Sequence, residues 1–175
     1  MHHCGAATTV RLLTLLTIAS GASALAAQEA RLDGASRKSV RIARAQTPPT
    51  IDGVLDEPAW STAAYVDDLH QIQPTEYADP SEPTIVYLMY DDEALYVGAR
   101  LYDSDPNGIT ARILRQGSEV FDDDWFSLVL DPFYDRRSGY RFQTNPNGLR
   151  QEALFQNVSD EQWDWTGIWY TASNV

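Results

Sequence analysis

Three tryptophans near the C-terminal end, Trp163, Trp165 and Trp169, share parity, so on a regular strand they would project from one face. A flat, partly exposed indole stacks on the apolar C–H face of a sugar ring, as on any ring-like ligand. A covered indole packs the core instead. The two readings are compatible, with one or two rings inside and another at the rim. Trp125 starts a further strand beside Asp122-Asp123-Asp124 and is a candidate for a ring at a mouth.

Carboxylates are the second resource. Asp103-x-Asp105-x-Asn107-Gly108 matches the opening of an EF-hand loop. The bidentate Glu required at the twelfth position falls on Leu114, Pro106 stiffens the loop, and no helices flank it, so the EF-hand is rejected. A plain turn is the simpler reading. A calcium site of another kind, using Asp103 and Asp105, stays open because hard cations need only clustered oxygens. Asp122 and Asp123, with Asp124, could likewise hold calcium, pair with Arg112, Arg115 or Arg141, or form a solvated turn. A glycosidase needs two carboxyls across a cleft at a set separation, which adjacent positions do not show because spatial partners are invisible in one sequence; a hydrolase using Asp122 to Asp124 is the weaker reading.

Other chemistries lack material. Cys4 is the only cysteine, and His2, His3 and His70 are the only histidines. No Ser-His-Asp motif, zinc ligand set or glycine-rich phosphate loop is present. A redox reading needs axial ligands such as Met89 and His70, each of which occurs once after the first residues.

The elements that must position these residues read as strands. Thr84 to Tyr90 and Ala94 to Tyr102 alternate around Asp91-Asp92-Glu93 and predict a hairpin. Ile109 to Leu114 is a weaker strand. Trp125 to Asp131 places Phe126, Leu128 and Leu130 on one face. Gly139 to Thr144 and Leu149 to Gln156 flank Asn145-Pro146-Asn147-Gly148, a strong turn signal, and Trp163 to Tyr170 reads as a final strand. Asp56-Glu57-Pro58 predicts the start of a helix of one or two turns, with Asp56 as cap. Gln71 to Pro83 is a proline-punctuated loop. The fold class is therefore all-β, a β-sandwich or a barrel, with one short N-terminal helix.

The N-terminus predicts export. Arg11 is followed by Leu12-Leu13-Thr14-Leu15-Leu16-Thr17-Ile18-Ala19 and small residues to Ala27, with an Ala24-Leu25-Ala26 exit. That is the pattern of a cleavable signal over 1–26, and the apolar run falls short of the ~20 residues that span a bilayer. A leader over 27–39 and one domain over 40–175 follow. Thirteen basic residues less Arg11, against twenty-five acidic ones, give the mature chain a net charge of about −13. Such a domain repels nucleic acid and anionic headgroups. Export from the cytoplasm is the expected fate of the chain.

The run Pro49-Thr50-Ile51-Asp52-Gly53-Val54-Leu55-Asp56-Glu57-Pro58-Ala59-Trp60 resembles the entry of family 9 carbohydrate-binding modules. Tyr90-Asp91-Asp92-Glu93-Ala94-Leu95-Tyr96-Val97 and Asp123-Asp124-Trp125-Phe126-Ser127-Leu128-Val129-Leu130-Asp131 look like that family's two best-marked strands. Gly139-Tyr140-Arg141-Phe142, Asn145-Pro146-Asn147-Gly148 and Trp163-Asp164-Trp165 look closer to one branch, in which the module precedes an expected outer-membrane β-barrel. The resemblance implies a two-sheet antiparallel, jelly-roll-like sandwich, non-catalytic glycan binding, structural calcium, a link to polysaccharide catabolism and, for an exported chain, a place in the periplasm, in the outer membrane or at the cell surface. It makes Trp125 with Trp163 or Trp165 the candidate clamp, and Arg112 and Arg141 the donors to sugar hydroxyls. Val175 falls inside the Trp-rich region, so the chain is expected to be the front of a longer protein. The alternative reading is a docking domain for a C-terminal barrel region, with no sugar ligand.

Overall fold

The computed structural model describes residues 38–157 and 159–175. The signal over 1–26, and the leader except for Lys38 and Ser39, lie outside the described residues. Val40–Val175 forms one compact unit. Its regular structure is almost all strand, arranged in two four-stranded, mainly antiparallel sheets. No helix among the described residues is long and apolar enough to cross a membrane.

The first sheet is built around β3 (Thr84–Tyr90) and β4 (Leu95–Leu101), an antiparallel pair in register from Thr84↔Leu101 to Tyr90↔Leu95. Both runs are rich in β-branched and aromatic residues, which suit a pleated, half-buried surface. The connection is closed by Asp91, whose Oδ1 accepts the N–H of Glu93 at 2.8 Å and of Ala94 at 2.9 Å. Its Oδ2 accepts the Tyr96 hydroxyl at 2.8 Å, a bond that pushes that phenol up to about 12. The far edge of β3 is shared by two short strands. β1 (Ala43–Arg44) runs parallel beside Met89 and Tyr90, and β2 (Ala64–Val66) runs antiparallel beside Val86 to Leu88.

The Ile51-Asp52-Gly53 motif and the residues after it anchor this sheet. Asp52 Oδ1 accepts the Val54 N–H at 2.9 Å, closing an Asx turn. Gly53 has a φ of +88°, and a Cβ there would meet the Ser173 carbonyl carbon at 2.7 Å. Glu57 accepts the Thr50 N–H at 2.7 Å and the Trp60 indole N–H at 3.0 Å. The buried Trp60 ring then lies over Gly98, where a Cβ would come within 2.9 Å of both Trp60 and Leu55. The expected short helix is a 3-10 turn, Pro58–Thr62, and Asp56 does not cap it. Glu57 occupies the cap position, and its carboxylate serves Thr50 and Trp60.

The second sheet is a meander of β5 (Phe126–Leu130), β6 (Gly139–Thr144), β7 (Arg150–Gln156) and β8 (Asp160–Gln162) in sequence order. The β6–β7 turn closes with the Gly148 N–H on the Asn145 carbonyl at 2.9 Å, and Gly148 takes the φ of +71° that favours glycine.

Two strand expectations fail. Residues 109–114 form no strand, because side chains of Asp123, Asp124, Asn145 and Asn147 take the backbone groups that a neighbouring strand would use. Residues 163–170 form none either. The chain turns at Trp163 and Asp164, and the tail that follows lays Trp165 and Trp169 on the sheet.

Candidate functional site

The register of the second sheet sorts its side chains onto two faces. Ser127, Gln143 and Gln151 stand in one cross-strand row, and Val129, Arg141 and Ala153 in the next. Phe155 and Glu161 continue that face. Leu128, Phe142 and Glu152 form a row on the opposite face, beside Tyr140 and Leu154.

At the edges of the Arg141 face stand three exposed rings. Phe121 meets Trp125 edge-on with centroids 6.0 Å apart, and meets Trp163 edge-on at 5.8 Å. Their exposures of 43% for Trp125, 48% for Phe121 and 36% for Trp163 leave broad aromatic surface open to a ligand. Arg141 connects these rings to the sheet. Its guanidinium carbon lies 4.7 Å from the centre of the Phe155 ring and 5.9 Å from that of Trp163. One terminal nitrogen lies 3.1 Å from a carboxylate oxygen of Glu161.

Beneath the rim the face is polar and covered. Gln143 is 0% exposed, and neither atom of its amide has a hydrogen-bond partner; the buried Ser127 Oγ and Arg141 Nε are in the same position. Gln151, in contrast, accepts the N–H of the fully buried Val120 at 3.3 Å.

The loop that carries Phe121 is held by a buried polar staple. Asp123 accepts the N–H of Arg112 at 2.8 Å and of Ile113 at 3.0 Å, and the Asn145 amide at 2.8 Å. Burial pushes the Asp123 carboxyl up, but the two N–H donors, the Asn145 amide and the nearby Arg112 charge outweigh it, and the group is held below the usual carboxylate range. Asn145 Oδ1 accepts the N–H of Asn147 at 3.1 Å and of Leu149 at 3.0 Å. The Asn147 amide donates to the carbonyls of Ala111 and Ile113, each at 3.0 Å. Asp124 pairs with Thr110 in both directions.

Trp125, Trp163 and Arg141 are thus gathered, with Phe121 as the bridge. Arg112 is drawn into the Asp123 staple through its backbone, and its side chain is exposed. Trp165 is not part of the gathering. It packs on Tyr140 at 5.1 Å and Phe142 at 6.1 Å, on the opposite face, and Trp169 follows it onto Phe142 at 5.3 Å. The Trp169 indole donates to Glu152 at 3.1 Å. Shared parity fails for these tryptophans because the strand ends at Gln162.

The four calcium candidates do not come together. Asp103 accepts the Asp105 N–H at 2.7 Å, Asp105 leads into the 3-10 turn Pro106–Gly108, and Asp122 faces solvent. Asp123 spends both oxygens on N–H donors, and among the described residues no three His, Cys, Asp or Glu side chains converge. Met89 is a covered side chain of β3 and His70 an exposed loop residue.

Phe121, Ser127, Gln143 and Glu161 belong to the site and were not singled out from the sequence. Strand parity could have found two of them, since Gln143 follows Arg141 by two residues and Ser127 follows Trp125 by two. No family model, curated protein or solved structure matches this chain.

Proposed function

We propose that this domain is a non-catalytic carbohydrate-binding module, on a jelly-roll-like sandwich, in an exported envelope protein linked to polysaccharide catabolism. The observation that carries the reading is the exposed Trp125–Phe121–Trp163 cluster, with Arg141 beside Trp163 and unpaired polar groups on the same sheet face. Rings at a rim offer stacking surface to the C–H faces of a sugar, and the polar groups offer partners for its hydroxyls. The net charge of the chain favours ligands that are not polyanions.

Titration calorimetry of the signal-free domain against glucans, xylans and uronates tests this, with and without calcium. Saturable heat with at least one glycan, lost in Trp163→Ala, supports the reading. A flat response to the whole panel sinks it, and the calcium arm reports whether the acidic loops take a cation.

A docking role toward a C-terminal barrel region is favoured by one observation. Ile168 and Tyr170 in the tail are 95% and 77% exposed, more apolar surface than a solvated segment requires. Silence in calorimetry would move the weight to that reading.

A further inference from the structure

Resting on the glycan-binding reading, we propose that the Arg141 face selects uncharged sugars over uronates, because Glu161 already holds the charge of Arg141. By register, Arg141 is the one basic side chain on this face of β5 to β8. Arg150 lies on the other face and donates to the Trp169 carbonyl. The Arg141–Glu161 pair is 3.1 Å apart, and its side chains keep only 22% and 25% of their exposure. A bidentate grip on a ligand carboxylate needs a guanidinium free of competitors, and a uronate approaching here would meet Glu161.

What the face leaves unpaired is two neutral side chains and one N–H of the Arg141 guanidinium. The Gln143 amide offers a donor and an acceptor, Ser127 Oγ can act as either, and Arg141 Nε–H is a donor. Sugar hydroxyls, each donor and acceptor at once, complement that set, whereas a carboxylate placed against it could meet only the donors. Burial without partners destabilises the free protein, and a ligand that supplied those partners would recover the loss. Gln143 is completely covered in this state, so the proposal also requires the rim to part when a sugar enters.

The test compares neutral xylan and β-glucan oligosaccharides with polygalacturonate and alginate oligosaccharides. It uses calorimetry on the wild type, Glu161→Gln and Gln143→Leu, with melting followed by circular dichroism. The wild type should bind at least one neutral glycan more than about tenfold tighter than any uronate. Glu161→Gln, by freeing Arg141, should shift the uronate-to-neutral affinity ratio by about tenfold toward uronates. Gln143→Leu should weaken glycan binding and raise the melting temperature by a few degrees, a combination that a packing role would not give. Equal wild-type affinity for uronates, an unchanged ratio in Glu161→Gln, or a Gln143→Leu variant that melts lower and binds normally each overturns the proposal while leaving the glycan reading intact. A wild type that binds no glycan overturns both.

Discussion

The two faces of the β5–β8 sheet are built from alternate residues of the same strands, yet they solve opposite problems. On one face Tyr140 and Phe142 take Trp165 and Trp169 from the tail, and the part-buried Trp169 indole N–H donates to Glu152. That face is satisfied. On the other, Arg141 is only partly paired, Gln143 and Ser127 have unpartnered polar atoms, and the aromatic rings sit at the rim. A surface that leaves hydrogen-bonding capacity unspent forgoes stability. Under the proposed glycan-binding function, neighbouring residues such as Arg141 and Phe142 belong to different parts of the energetics, one to recognition and the other to folding.

The contrast is open to direct attack. The largest effect should come from the staple that holds the Phe121 loop. Asn145→Ala removes four hydrogen bonds and leaves Asp123 and the Ile113 carbonyl short of a donor, for a loss of about 3–5 kcal/mol in denaturant unfolding. A loss comparable to a surface substitution would mean that the staple is not buried as described.

Phe142→Ala, on the satisfied face, should cost about 2–4 kcal/mol through lost contact with Trp165 and Trp169, and leave glycan affinity within about threefold. If affinity collapses while stability holds, the roles of the two faces are reversed.

The smallest effect is a pH dependence. The Asp123 carboxyl is held below its unfolded value of about 3.9, so its contribution is fully present above that value and declines as pH falls through the folded one. Melting temperature should therefore fall on acidification below about pH 4. In Asp123→Asn the acid limb should be shallower. Identical limbs in the two proteins would remove Asp123 from the account.

Much of the scaffold was legible in the chain. Alternation of apolar residues marks β3 to β7, Asp91-Asp92-Glu93 and Asn145-Pro146-Asn147-Gly148 mark their turns, and the Ile51-Asp52-Gly53 motif marks the anchor that brings Trp60 onto Gly98. These are local signals, fixed by the pleat and by which residues tolerate a turn. What only the tertiary structure decided is how far the alternation runs and what each polar group meets. Trp163 and Trp165 part company because β8 ends before them. Residues 109–114 are extended without being a strand because carboxylates and amides from two other loops occupy their backbone. Asp123 spends its oxygens on backbone N–H groups because Asn145, twenty-two positions later, closes over it. Composition and spacing can nominate a tryptophan or a carboxylate; which neighbour satisfies it is a long-range matter, settled by packing.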